Sequence, residues 1–292
     1  MSTSALPALR SSAWDYLELT KPRITLMVVL TTWVGYVVAA RTHGATGPLL
    51  PALLGTGLVA AGASALNMLL ERRIDARMRR TATRPLPAGR LRPLDALAWG
   101  LAVTSLGLAA LAWRSGPWPA AVALLTWSSY LFVYTPLKTR TSMATLVGAV
   151  PGALPPVIGW AAARGTLDPG ALLLFAILFL WQIPHFLAIA WMYRDDYARA
   201  GLPTLPVLDP DGRLTGRQAV AHVLVLLIVS LVPTAAGLTG PVYLAGAAVL
   251  GVAFAGVAVW AAVVRTLVAA RRLFLTSISY LAVLCTLLLL GR

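Results

Sequence analysis

The sequence predicts an all-α membrane protein, a polytopic bundle of about nine transmembrane helices. The chain is 59% hydrophobic and only 12% charged, with a mean hydropathy of +0.78, whereas a soluble domain is about 25% charged. Its apolar runs repeatedly approach the ~20 residues that cross a bilayer as a helix. The runs do not alternate polar and apolar residues as β-barrel strands do. Because the backbone of a lipid-embedded run must satisfy its own hydrogen bonds, each run is predicted to be a helix.

Nine apolar runs follow one another, and the connections between them alternate between long and basic, and short and neutral. The runs cover residues 24–40, 49–70, 94–113, 118–135, 143–163, 170–192, 218–238, 242–263 and 272–290. No soluble domain interrupts them, so residues 1–292 are predicted to form one transmembrane domain. Residues 1–21 are predicted to be a cytoplasmic segment. They carry no apolar core with a cleavage site, so we expect the first helix to insert uncleaved.

The distribution of basic residues predicts the orientation in the membrane. If the nine runs all cross, all but four of the 24 Lys and Arg residues lie on the side of the N-terminus. The sixth and eighth connections contribute to this side Arg194, Arg199, Arg213, Arg217, Arg265, Arg271 and Arg272. Positive connections stay in the cytoplasm, which predicts a cytoplasmic (inner) membrane protein with its N-terminus inside and its C-terminus outside. The net charge of +14 is thereby assigned to topology and to contact with the lipid bilayer. A nucleic acid partner is not predicted, since no soluble basic fold is present.

A row of polar residues at the end of the second run predicts a metal site. Asn67, Glu71 and Asp75 are spaced by four residues, so they project from one face of a helix. Two carboxylates and an amide offer the oxygen ligands that Mg²⁺ takes together with substrate phosphates. The alternative is a solvated helix end whose acids pair with Arg72 and Arg79. That alternative does not explain an asparagine within an apolar stretch.

The connection after this row predicts a diphosphate site. Arg80 and Arg84 precede prolines that end the helix and stiffen the loop, and arginine can fork onto phosphate oxygens. Since basic residues outnumber the acids here, a metal and a polyanion between them fit better than simple ion pairs. Lys138 and Arg140, on the fourth connection, are predicted to reach the same pocket.

A second polar cluster follows the sixth run. Asp195 and Asp196 are predicted to hold a second Mg²⁺, and Arg194 is predicted to bind diphosphate. The alternative is an ordinary helix end with surface charges. His185 lies in a polar notch of the same run, between Gln182 and this cluster.

Together these segments resemble a known family. The matching segments lie between about residues 15 and 210 and are Leu19-Thr-Lys-Pro-Arg23, Asn67–Asp75, Arg80-x-x-x-Arg84-Pro-Leu-Pro, Tyr134-Thr-x-x-Lys138, Gly152-Ala-Leu-Pro-Pro156, Trp181-x-x-Pro-His185-Phe and Tyr193-Arg-x-Asp196-Tyr. In these motifs the chain is similar to the protohaem IX farnesyltransferase (haem O synthase) family of the UbiA-type intramembrane prenyltransferases. It departs from many UbiA-type members in lacking a second DxxxD, since Met192 and Ala200 flank Asp196.

The resemblance implies a fold, a reaction and a set of roles. The helices are expected to surround a central cavity open to the cytoplasmic side, where the farnesyl group of farnesyl diphosphate is transferred to a vinyl group of haem b. Water is added, and haem O and diphosphate are released. Mg²⁺ is the implied cofactor, haem b is a substrate, and a haem A synthase or a terminal oxidase assembly protein is the implied partner. The implied catalytic residues are Asn67, Glu71, Asp75 and Asp196, and the implied haem-binding residues are His185 and Tyr193.

Three other functions are compatible with parts of the sequence. The same machinery could prenylate a quinone precursor or another aromatic acceptor, although the His185 motif and the segment 193–206 argue against this. A secondary transporter would carry its ionisable residues near the bilayer midplane on broken helices, whereas here they cluster at cytoplasmic helix ends. The third is a haem-binding membrane protein without catalysis, from which an enzyme is distinguished by Asp75→Asn, because the enzyme should lose turnover while it keeps haem binding.

Overall fold

The protein is described by a computed structural model that covers residues 12–291. Over this range the chain is almost entirely helical and contains no strand. The helices are α1 (Ala13–Leu19), α2 (Pro22–His43), α3 (Leu49–Asp75), α4 (Pro93–Arg114), α5 (Pro117–Ser128), a π-helical turn (Ser129–Tyr134), α6 (Thr135–Leu137), α7 (Ala144–Ala153), α8 (Pro155–Arg164), α9 (Pro169–Met192), α10 (Arg194–Arg199), α11 (Leu205–Leu208), α12 (Arg213–Ala235), α13 (Pro241–Val264) and α14 (Leu267–Leu290). Most of the predicted cytoplasmic segment 1–21 lies outside the described residues, as does Arg292.

Nine helical stretches within residues 12–291 are long and apolar enough to cross a membrane, which confirms the predicted all-α bundle. The chain is a multi-pass membrane protein. Two of the nine stretches are interrupted. The fourth joins α5, the π-helical turn and α6, and the fifth joins α7 and α8 at Leu154. Two prolines, Pro155 and Pro156, cause the second interruption because proline cannot donate a backbone hydrogen bond.

The predicted boundaries were wrong at the N-terminal starts of two helices. The run 218–238 was predicted from apolar residues, but α12 begins at Arg213, and the run 272–290 belongs to a helix that begins at Leu267. Arg217 and Arg271 therefore lie inside helices rather than in connections. An apolar run marks only the lipid-embedded part of a helix. Long basic side chains can extend from the next turns to the aqueous interface.

Close backbone contact joins α2 to α8 in the interior. A Cβ atom at Gly159 would overlap the carbonyl oxygen of Thr32, and one at Gly35 would overlap that of Pro156. Small residues allow helices to approach this closely in membranes. The neighbouring Trp160 is fully buried in the main apolar core. This packing fixes α2, whose N-terminal end carries a residue of the candidate site.

Candidate active site

The C-terminal end of α3 carries the predicted polar row on a buried face. Asn67, Glu71 and Asp75 are 1%, 7% and 1% exposed, whereas Leu70 on another face is 52% exposed. The alternative partners, Arg72 and Arg79, do not form ion pairs with these acids among the described residues. The row is therefore not an ordinary solvated helix end.

Each oxygen-bearing side chain of the row is bound by one cation, and each cation comes from a different segment. Lys21 Nζ donates to Asn67 Oδ1 at 2.8 Å. Lys138 Nζ donates to Glu71 Oε1 at 2.7 Å, and the Arg84 guanidinium donates to Asp75 Oδ2 at 2.8 Å.

Lys21, whose side chain reaches Asn67, has an unusual backbone conformation. Its φ is 46° and its ψ is 65°, in the left-handed region, which costs about 1–2 kcal/mol in a residue that has a Cβ atom. Pro22 follows it and disfavours the right-handed α conformation at this position. Burial, together with the nearby Arg84 and Lys138 charges, lowers the pKa of Lys21 to about 8.

The π-helical turn positions the residues that meet α3 from the fourth span. Asn67 Nδ2 donates to Thr135 Oγ1 at 3.0 Å, and Thr135 Oγ1 donates to the carbonyl oxygen of Tyr130 at 2.8 Å. The Tyr130 and Tyr134 rings stack, and the Lys138 ammonium lies 4.7 Å from the Tyr134 ring centroid. Burial lowers the pKa of Lys138, but the combined effect of Tyr134 and Glu71, which raise it, is larger. The pKa of Lys138 therefore lies well above its usual value. Such π-helical turns often occur at functional sites.

The connection after α3 folds back over the row. Thr81 Oγ1 donates to the carbonyl oxygen of Asp75 at 2.8 Å, which places Arg84 against the Asp75 carboxylate. Further along, Arg90 donates to Asp15 at 2.8 Å and to Glu18 at 2.9 Å. Arg90 therefore ties α1, just before Lys21, to the loop that carries Arg84.

Contacts of Arg80 bring the second predicted cluster, around Asp195 and Asp196, next to the polar row of α3. Its guanidinium carbon is 4.8 Å from the Tyr193 ring centroid and 6.0 Å from that of Tyr197. Ile74 and Tyr197 also share an apolar cluster, so α10 packs against the end of α3. Asp196 pairs with Arg199.

Other predicted residues of this region are more exposed. The Asp195 side chain is 87% exposed, with Arg194 at 3.8 Å, and Arg194 also stacks on the Trp191 ring. Arg140 is exposed. Among residues 12–291 no group of three or more His, Cys, Asp or Glu side chains is arranged to hold a metal ion. The assigned roles of these residues remain predictions.

His185 lies on α9 beside α14. Its Nδ1 atom is 2.8 Å from Ser277 Oγ, and its ring lies between Trp181 and Phe274, each 4.9 Å away between ring centroids. Trp181 Nε1 donates to the Ser277 carbonyl oxygen at 2.6 Å. The predicted haem contacts of His185 remain a prediction.

Sequence reasoning missed Lys21, Thr135 and Arg90 as site residues. Lys21 belongs to the segment Leu19–Arg23 that carries part of the resemblance, but its charge was assigned to topology. A lysine just before a proline, with an acidic row at the same end of the next helix, is the signal that could have identified it.

Comparisons with known proteins agree with the fold. Residues 28–284 match the UbiA prenyltransferase family. The protoheme IX farnesyltransferase of Solibacter usitatus is 49% identical over 287 residues, which cover 95% of this chain and 98% of that protein. A solved digeranylgeranylglyceryl phosphate synthase superposes with a TM-score of 0.80 at 16% identity, covering 95% of this chain and 97% of the other. A UbiA homologue from Archaeoglobus fulgidus bound to GPP and Mg²⁺ superposes with a TM-score of 0.62 at 17% identity, covering 94% and 99%.

Proposed function

This chain belongs to the UbiA prenyltransferase family, and from that membership we propose that it transfers the farnesyl group of farnesyl diphosphate to a vinyl group of haem b. Water adds to the product, giving haem O and diphosphate. The observation that carries this proposal is the buried row of Asn67, Glu71 and Asp75, each bound by a cation from another segment. The name of the Solibacter usitatus relative supports haem b as the acceptor.

The charges of the row fit a metal-bound diphosphate. Lys21, Arg84 and Lys138 face only two carboxylates, so the cluster has an excess of positive charge. The carboxylates of Glu71 and Asp75 and the amide oxygen of Asn67 are the oxygen donors that Mg²⁺ accepts, and the solved Archaeoglobus fulgidus homologue binds Mg²⁺. We assign the Mg²⁺ to these three residues, and Asp195 and Asp196 to a second ion. Bound Mg²⁺ would neutralise the negative charge that develops on the departing diphosphate.

Two of the three cations, Lys138 and Arg84, would exchange partners when substrate binds. In the free protein they donate to the carboxylates of Glu71 and Asp75. In the complex they would donate to diphosphate oxygens, which would free the carboxylates to hold Mg²⁺. Arg80, Arg140 and Arg194 supply further donors from the cytoplasmic side. Breaking the bond between the allylic carbon and oxygen leaves the electron pair on diphosphate, and these donors stabilise that charge.

The apolar interior of the helix bundle shields the electron-poor farnesyl carbon from water. The terminal vinyl carbon of haem b attacks it, so a carbon–carbon bond forms and positive charge moves to the carbon next to the porphyrin. Water then adds there and releases a proton. His185 and Tyr193 hold the haem, and a dry pocket prevents premature capture of the allylic cation by water.

The whole chain forms one domain in this proposal, placed in the cytoplasmic membrane with the N-terminus inside. The ends of α3 and α9 that bear the site then face the cytoplasm. A haem A synthase or a terminal oxidase assembly protein would receive the product.

The proposed function is tested by the products of purified protein in lipid vesicles. Haem b and farnesyl diphosphate are supplied with Mg²⁺, and the haems are analysed by mass spectrometry. We expect haem O to accumulate only with all three components. Prenylation of an aromatic acceptor without any haem O would overturn the proposal.

The lowered pKa of Lys21 leads to a prediction of how the affinity for farnesyl diphosphate depends on pH. Its pKa of about 8 means that the ammonium loses its charge as the pH rises through 8, and an anionic diphosphate binds the charged form better. We therefore expect KM for farnesyl diphosphate to rise by up to about tenfold per pH unit above pH 8. Lys21→Arg should abolish this rise because arginine stays charged.

Protein stability provides the control for this prediction. The same titration of Lys21 should weaken substrate binding as the pH rises but stabilise the folded protein, so a rise in KM would not reflect unfolding. Between pH 8 and 10.5 the unfolded chain retains the proton that folded Lys21 has lost, so the free energy of unfolding from this group increases with pH. An unchanged KM in this interval, or the same rise in Lys21→Arg, would contradict the role of Lys21.

A further inference from the structure

The hydrogen bonds around Ser277 define which nitrogen of His185 carries the proton. Ser277 Oγ lies 2.6 Å from the carbonyl oxygen of Phe274, and a carbonyl can only accept. The single hydroxyl proton is therefore donated to Phe274. In its other contact, at 2.8 Å, Ser277 Oγ must accept from His185 Nδ1, so Nδ1 is protonated and Nε2 of the neutral ring keeps its lone pair.

We propose that Ser277 is a positioning residue that holds His185 in this tautomer, so that Nε2 binds the iron of the acceptor haem. This inference rests on the proposed function, because it takes haem b as the substrate. Histidine ligands in metal sites generally donate their second ring N–H to a neighbouring acceptor, which fixes the tautomer and the ring orientation. Here a serine that is 0% exposed supplies that acceptor.

The depth and the surroundings of His185 favour the iron over a propionate as its partner. His185 precedes the end of α9 at Met192 by seven residues, which corresponds to about 10 Å along the helix. The rings of Trp181 and Phe274 lie against it. An apolar, aromatic site at this depth suits the porphyrin centre, whereas charged propionates are better solvated at the cytoplasmic end.

A second contact fixes Ser277 itself. Trp181 Nε1 donates to its backbone carbonyl oxygen at 2.6 Å, and Trp181 also stacks on His185. Trp181, His185 and Ser277 therefore form a closed set of contacts between α9 and α14. Loss of the Ser277 hydroxyl would leave this packing in place and remove only the acceptor of Nδ1.

Ser230 offers a matched control. It is also 0% exposed, and its hydroxyl also donates to the carbonyl oxygen three residues earlier, Leu227. It lies on α12 and forms no hydrogen bond with a histidine among the described residues. Ser230→Ala therefore removes an equivalent buried hydroxyl without touching His185.

The experiment measures haem b binding to purified full-length protein without farnesyl diphosphate. The three histidines of the chain carry a nitrogen isotope, and electron–nuclear double resonance of ferric haem detects a labelled axial nitrogen. We expect this coupling in the wild type and in Ser230→Ala, and its loss in His185→Ala. Added imidazole should restore axial ligation of the protein-bound haem in His185→Ala, and an unchanged thermal midpoint shows that the variant is folded.

Ser277→Ala should weaken haem b binding roughly 10- to 100-fold, as loss of a partner of a metal-ligating histidine does, while Ser230→Ala leaves it unchanged. Coupling that persists in His185→Ala, or unchanged affinity in Ser277→Ala, would overturn the inference. Haem O formation by the wild type is measured separately. Axial histidine coupling without haem O would overturn the proposed function alone, and haem O without the coupling would overturn this inference alone.

Discussion

Asp75→Asn is expected to lower kcat for farnesyl transfer by roughly 100- to 1000-fold, the range seen when one electrostatic stabiliser of a transition state is removed. Asparagine keeps the shape and can still accept from Arg84, but it removes one of only two carboxylates in the buried row. Glu71→Gln should have a similar effect. The measurement is the initial rate of haem O formation over a range of Mg²⁺ concentrations.

Asp95→Asn is the control for this prediction. Asp95 lies in the first turn of the transmembrane helix α4 and, like Asp75, pairs with an arginine, here Arg92, but it lies outside the row. We expect it to retain full activity. If both Asp75→Asn and Glu71→Gln also retained full activity at low Mg²⁺, the metal assignment would be wrong.

Arg84→Ala is expected to raise KM for farnesyl diphosphate roughly 10- to 100-fold. Hydrogen bonds to charged groups contribute about 1.5–3 kcal/mol, and Arg84 is the cation that already lies against Asp75. Arg84→Lys should lie between the wild type and Arg84→Ala, because lysine keeps the charge but not the forked geometry. The measurement is KM at saturating Mg²⁺ and haem b.

Two controls separate substrate binding from folding in this series. Arg92 is the last residue of the same connection, and its side chain is 83% exposed, so Arg92→Ala should leave KM unchanged. Removing Arg84 also leaves Asp75 without its cation, so the thermal midpoint of each variant is measured alongside. An unchanged KM in folded Arg84→Ala would exclude Arg84 from the diphosphate site.

The sequence was sufficient to predict features that depend on local spacing. Nine apolar runs predicted nine spans, and the four-residue spacing of Asn67, Glu71 and Asp75 predicted a shared face that is indeed buried. Both follow from the pitch of the α-helix and the thickness of the bilayer. Neither requires knowledge of which helices are neighbours.

The partners of these residues could not be predicted, because they depend on how distant segments pack. Lys138 lies 67 positions from Glu71, and Ser277 lies 92 positions from His185. The left-handed conformation of Lys21 has only a weak local signal in the following proline. The π-helical turn has none that we recognised, since Ser129–Tyr134 is an apolar run like its neighbours.

The π-helical turn also sets the rotational phase of everything that follows it in the fourth span. A π-helical turn accommodates one more residue than an α-helical turn, and one residue corresponds to about 100° of rotation. Deleting Phe132, which is 65% exposed, would therefore let the segment relax to an uninterrupted α-helix without changing that phase. An uninterrupted α-helix that retained every residue of the segment would instead rotate Thr135 and Lys138 away from α3 by about 100°. The span would remain equally apolar, yet the row would lose two of its neighbours.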